Sequence, residues 1–164
     1  MSEDIRKLSS LERVEQAARD FGLGITVRRM EQSTRTAEEA AVAAGCHVGQ
    51  IVKSLVFVDA ETNRLVLLLV SGAHNADVAF IAENYGLRLK RADIDRVRDE
   101  TGFAIGGVSP IGHRIALPVF VDESLLSYTE VWCAAGRPDS IFSCDPAVLS
   151  EKIAATVIKV RREG

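Results

Sequence analysis

Two stretches of this chain carry residue types that can do chemistry. The first is a lysine inside an apolar segment, Ile51-Val52-Lys53-Ser54-Leu55-Val56-Phe57-Val58. If that segment is a strand, its side chains alternate between two faces, and Lys53 shares a face with Ile51, Leu55 and Phe57. On an inward face the ammonium must reach water, find a partner or line a cavity. A lysine lining a cleft binds a phosphate or a carbonyl oxygen as a point charge. The structural alternative is a lysine that snorkels to water or guards a strand edge.

The second stretch is Gly106-Gly107-Val108-Ser109-Pro110-Ile111-Gly112. Glycine permits positive φ and close approach to the backbone, and Pro110 pushes Ser109 toward an extended conformation. The expected product is a rigid loop with backbone N–H groups turned outward, a concavity for an anion or a polarised carbonyl oxygen. A plain turn between two elements is the alternative.

Other constellations are weaker. There is no G-x-S-x-G elbow, so Ser109 is not expected to form an acyl intermediate. Cys46 and His47 are adjacent and project differently in most backbones. His74 and Asp77 have i,i+3 spacing, but two ligands do not make a zinc site; neither a metal nor a cofactor is expected. Cys133, Cys144 and Trp132 read as core. Arg88, Lys90 and Arg91, and later Lys159, Arg161 and Arg162, are solvated faces able to touch nucleic acid.

The elements that must position these groups follow from periodicity and caps. Residues 1–10 are expected to be frayed. Leu11, Val14, Ala17, Ala18 and Phe21 predict a helix over 11–21, stopped by Gly22 and Gly24. A short strand is expected at 25–30. Thr36 to Glu39 reads as a capping box, opening a helix that ends near Gly45. Strands at 51–58 and 64–71 form a hairpin. Further helices are expected at 76–85, 93–101 and from Asp145-Pro146 to 153. Strands are expected at 87–90, 114–121, 130–135, 140–143 and 155–160, with Pro118 implying an edge or a bulge. The sum is one mixed α/β domain spanning 1–164, with no repeat or linker.

Composition narrows the class. Net charge is −3, with 20 basic against 23 acidic residues, which argues against coating nucleic acid through a broad basic face. Three cysteines without paired spacing suit a reduced, cytoplasmic setting. The polar N-terminus lacks the apolar core of a signal peptide, and the longest apolar run, 65–70, is too short to span a bilayer.

The lysine strand and the glycine loop together resemble the YbaK/prolyl-tRNA-synthetase-associated family of aminoacyl-tRNA editing domains. Val52-Lys53-Ser54-Leu55 is similar to that family's VKTL segment. Thr101-Gly102-Phe103-Ala104-Ile105-Gly106-Gly107-Val108-Ser109-Pro110-Ile111-Gly112 matches its T-G-[FY]-x-x-G-G-[VI]-S-P-[IL]-G segment throughout. Leu117 to Asp122 and Ala134 to Arg137 resemble the later strand and the glycine-basic turn. The likeness covers about 25–160. Ser54 stands where many relatives carry threonine. The loop Ser71 to Asp77 keeps the family's glycine and final aspartate around an unusual middle.

The resemblance implies an α/β domain with a mixed, barrel-like sheet and peripheral helices. It implies a deacylase that hydrolyses, in trans, the ester of a mischarged tRNA, such as tRNA for proline carrying alanine or cysteine. The partner would be the tRNA acceptor end, with a synthetase as a possible second. Lys53 would anchor a phosphate or ribose, or orient water. Gly106, Gly107 and Ser109 would polarise the ester carbonyl. Ser71, Gly72, Asp77, Val108, Pro110 and His113 would line the substrate site. Positioning and oxyanion stabilisation are enough for an ester already labile. A small hollow beside Lys53 would fit alanine, serine or cysteine; a large one would exclude that as the main specificity. Two other readings stay open: a module that binds a tRNA end or aminoacyl-adenosine without hydrolysis, and a hydrolase of small esters. The sequence does not fix oligomeric state.

Overall fold

Side-chain caps set the helix boundaries in the computed structural model, which describes residues 8–162. Helix α1 runs Ser10–Phe21, and the Ser9 hydroxyl and Glu12 carboxylate each accept the other residue's backbone N–H at 3.2 Å. The Ser9 cap and Ser10 thus belong to this helix although they fall in the segment expected to fray, and residues 1–7 of that segment lie outside the described residues. Helix α2 is Ala37–Ala44, capped by Thr36. Here the Glu39 carboxylate accepts the Thr36 hydroxyl proton at 3.0 Å instead of reaching back to the backbone. Helices α3 (Val78–Tyr85), α4 (Ile94–Thr101) and α5 (Pro146–Lys152) start at Asp77, Asp93 and Asp145, with Pro146 in the first turn.

Among the described residues, eight strands form two sheets. The larger has the order β4 (Leu89–Arg91), β2 (Val52–Asp59), β3 (Leu65–Ser71), β5 (Val119–Asp122), β8 (Thr156–Ile158). The hairpin β2–β3 is antiparallel, while β3–β5 and β5–β8 are parallel, so the sheet is mixed. The smaller sheet has the order β1 (Val27–Arg29), β7 (Ser140–Cys144), β6 (Val131–Ala134). A bridge from Ile51 to Trp132 joins the two at one corner. The sheets lean together there and, among the described residues, do not close into a ring.

Every residue of β3 is buried. One of its faces, with Leu67 and Leu69, packs on Phe103, Val108, Val121 and Phe142. The other, with Val66, Leu68 and Val70, packs on Ile81, Leu87 and Leu89. Burial on both faces explains the unbroken aliphatic run from Leu65 to Val70. β2 has β3 along one side for its whole length. On its other side β4 pairs only with Phe57, Val58 and Asp59. The middle of β2 thus presents an edge with no partner strand, and this edge builds the site.

The expected strand at 114–121 is shorter than its apolar residues suggest. Regular pairing covers only Val119–Asp122. The N–H groups of Arg114 and Ile115 are spent on the last carbonyls of α4, those of Thr101 and Glu100. Pro118 has no donor, but its carbonyl still accepts from Leu67 at 2.9 Å.

Candidate active site

Lys53 sits opposite Val70 in the β2–β3 register, near the end of the unpartnered edge. Its ammonium donates to the backbone carbonyl of His74 and faces Asn75 Oδ1 at 3.5 Å. Burial pulls its pKa below the usual lysine value, against the charges of Glu38 and Asp122, which raise it. With Ala37 it lines two hollows at once. The larger is a groove of about 1040 Å3 along the β2 edge from Val52 to Phe57. Gly106 and Val108 flank it, as do Trp132 to Ala134 and the start of α2. The smaller, about 340 Å3, is bounded by Lys53, Glu38, Gly72, His74 and Asn75.

The charge of the groove is one-sided. Lys53, Arg35 and Arg91 line it, and no acidic residue does among the described residues. In a chain of net charge −3 this is a local concentration of positive potential, suited to an anionic ligand. The apolar remainder of the lining suits a base or an aliphatic side chain.

The glycine loop reaches the groove at two points. Gly106, with φ of 89°, and Val108 line it, and neither of their amides has an acceptor among the described residues. Positive φ is what turns the chain here, and a Cβ on Gly106 would stand 3.2 Å from Arg35 Cγ. Gly107 lies behind. Its N–H is spent on the Ala104 carbonyl at 3.1 Å, and it packs against the backbone of Gly136 and Arg137.

The ends of the loop are fastened by a residue from the other end of the chain. Buried Arg13 of α1 donates from Nη2 to the Gly102 carbonyl at 2.6 Å and from Nε to the Gly112 carbonyl at 3.2 Å. Its guanidinium also stands over the Phe103 ring, 5.1 Å from the centroid.

The structure thus brings Lys53, Gly106 and Val108 onto one groove, with Gly72 on the adjoining hollow. The other expected residues stand elsewhere. Ser109 is fully buried, its hydroxyl accepting from the Ile111 amide at 3.3 Å. Pro110 is buried beside it. His113 is held behind the loop by Nε2, which donates to the Ser109 carbonyl at 2.6 Å, and burial lowers its pKa to about 4. Ser71 is buried and donates to the Gly49 carbonyl at 2.8 Å, fixing the start of its loop. Asp77 caps α3 and faces Arg162 at 3.8 Å, away from both hollows. Ser109, Pro110, His113, Ser71 and Asp77 are supports, not lining, because small polar residues in a tight loop spend their groups on the backbone.

Sequence reasoning passed over Arg35, the Ser54 hydroxyl and the pairing of His74. Ser54 Oγ lies on the groove, buried and with no hydrogen-bond partner. His74 Nδ1 lies 3.3 Å from a carboxylate oxygen of Asp122. Arg91 belongs to a basic cluster visible in the sequence, and Arg35 has no such signal. Trp132 is buried, as expected, yet also lines the groove, with Arg28 stacked 4.9 Å from its ring centroid. No helix among the described residues is long and apolar enough to cross a membrane.

Fold and site together define an α/β domain with a cationic groove at a strand edge, facing a glycine loop. Residues 31–151 match the profile of the aminoacyl-tRNA editing domain, and the chain belongs to that family. It is 44% identical, with a TM-score of 0.86, to the solved structure described as "a putative trans-editing enzyme for prolyl tRNA synthetase", covering 96% of this chain and 100% of that one. It is 31% identical over 125 residues to the uncharacterized protein YwhH of Bacillus subtilis, 76% of this chain and 79% of the relative. It is also 30% identical over 105 residues to the "Putative Cys-tRNA(Pro)/Cys-tRNA(Cys) deacylase EbsC" of Enterococcus faecalis, 62% of each chain.

Proposed function

We propose that this protein is a trans-acting deacylase that hydrolyses the ester between a wrong amino acid and its tRNA. The observation that carries the reading is the shared groove: Lys53 and the loop residues Gly106 and Val108, whose amides have no acceptor among the described residues, line one hollow together with other cations and apolar side chains. The cations suit the phosphates of a tRNA 3′ end. The amides of Gly106 and Val108 suit the oxygen on which charge develops as water attacks the ester.

The groove is at the upper end of the range for drug-sized ligands. Taken empty, a hollow of that size goes against the expectation of a small cavity for alanine, serine or cysteine, so volume does not set such a specificity. It accommodates a terminal nucleoside together with the aminoacyl group, and a small amino acid is selected only in the space the nucleoside leaves. Alanyl- and cysteinyl-tRNA for proline are the first substrates to try, on the strength of the names carried by the two editing-related relatives. A synthetase partner and action within the cytoplasm belong to the same reading.

The test is a panel of mischarged tRNAs bearing alanine, cysteine, serine and larger residues, followed by loss of the ester. Deacylation by the wild type and its collapse in Lys53→Ala are expected. An inactive wild type, or full activity in Lys53→Ala, overturns the reading. Tight binding of a 3′-aminoacyl-adenosine analogue without turnover would replace hydrolysis with capture.

A further inference from the structure

We infer that His74, oriented by Asp122, is the general base that activates the attacking water; the inference rests on the deacylase reading above. Asp122 ends β5 with its side chain 1% exposed. One of its oxygens accepts from the Ser124 amide at 2.9 Å, the other from the Ser71 amide at 3.1 Å and lies 3.3 Å from His74 Nδ1. A buried carboxylate held by two backbone donors is a fixed acceptor. It keeps the proton of a neutral imidazole on Nδ1 and leaves Nε2 as the basic nitrogen. The His74 side chain is 17% exposed and lines the 340 Å3 hollow whose other wall is Lys53.

The same residue ties the base to the lysine. The His74 carbonyl accepts from the Lys53 ammonium, so one residue fixes the cation with its backbone and presents an imidazole with its side chain. The titratable groups facing the hollow are Lys53 from β2, Glu38 from α2 and His74 with Asp122 behind it. A base is what the shared groove itself lacks among the described residues: its charged lining is cationic, and Ser54 carries a buried hydroxyl with no partner.

The step balances. Nε2 takes a proton from water as the water oxygen bonds to the acyl carbon, and the carbonyl oxygen becomes an oxyanion. The bond from the acyl carbon to the ribose oxygen then breaks, and the proton on Nε2 passes to that oxygen. The products are the free amino acid and a tRNA with its terminal hydroxyl restored.

The experiment measures single-turnover deacylation against pH for the wild type, His74→Gln, His74→Ala and Glu38→Gln, corrected for spontaneous hydrolysis. Wild-type rate is expected to fall on the acid side with a slope of one, as general-base catalysis requires. His74→Gln is expected to lose about a hundredfold or more in rate and to lose that acid limb. Binding of a non-hydrolysable 3′-aminoacyl-adenosine is expected to stay within about threefold, corresponding to a site intact in its ground state. Added imidazole is expected to restore rate to His74→Ala, a response that a purely structural histidine does not give.

A wild type with no acid limb overturns the inference, whatever the variants do. So does a His74→Gln rate within about twofold of wild type, or an acid limb abolished in Glu38→Gln and kept in His74→Gln. In each of those cases the wild type still deacylates, and the editing reading survives. A wild type inactive on the whole tRNA panel removes both.

Discussion

Arg13 Nη2 donates to the carbonyl oxygen of Gly102 at 2.6 Å, across 89 positions of chain. With its second bond, to Gly112, this guanidinium closes the base of the loop that presents Gly106 and Val108. Removing it would leave two half-buried carbonyls unpaired and the Phe103 ring without its cation. Arg13→Met is expected to lower stability by about 2–4 kcal/mol, measured by urea unfolding. The same variant, where still folded, is expected to deacylate more slowly because the loop amides are no longer held.

Lys53 is expected to separate activity from stability. Its ammonium is partly desolvated, with its pKa below the usual lysine value of 10.5. Lys53→Met removes that cost, so the unfolding temperature should stay level or rise while deacylation is lost. If the ammonium meets the substrate as proposed, the reaction needs the charged form. Rate should therefore fall on the alkaline side, starting below the pH at which an ordinary lysine would titrate. A wild-type rate still unchanged at that pH would show that the charge is not used.

Ser54 offers a finer test. Its hydroxyl is buried at the groove without a partner, so the folded protein gains nothing from it. Ser54→Ala is expected to match or exceed wild-type stability by up to about 1 kcal/mol. If the hydroxyl meets substrate, KM for aminoacyl-tRNA rises severalfold with kcat little changed. An unchanged KM would mean that it meets none.

His113 sets an acid limit on the fold. Its pKa is about 4 in the folded chain against an ordinary value of 6.5, because burial disfavours the imidazolium. Between those two values the unfolded chain binds a proton that the folded chain refuses, so stability is lost as pH falls from 6.5 toward 4. The loss attributable to this group is on the order of 3 kcal/mol. His113→Gln cannot titrate and should show a shallower acid slope, read from urea titrations at pH 7, 5.5 and 4.5.

What was legible in the sequence was local. Thr36, Asp93, Asp145 and the glycines after the helices announce themselves by type and spacing, and their elements lie where the pattern puts them. Lys53 was legible because an ammonium in an aliphatic strand is anomalous. The partners of buried polar groups were not. His74 stands three residues before Asp77, yet it takes its carboxylate from Asp122, 48 positions on, while Asp77 is consumed as a helix cap. Ile115 to Leu117 look like a strand, and only the fold shows that their neighbourhood spends its donors on the end of α4. Such pairings depend on which loops meet, and periodicity carries no record of that.

The matched family region opens at residue 31, downstream of the whole of α1. A fragment cut to that boundary would keep every groove-lining residue and yet discard Arg13, the fastener of both ends of the glycine loop. Truncation at 31 is therefore predicted to yield a slack catalyst from an apparently complete motif set, and supplying helix α1 as a separate peptide would be the way to tighten it again.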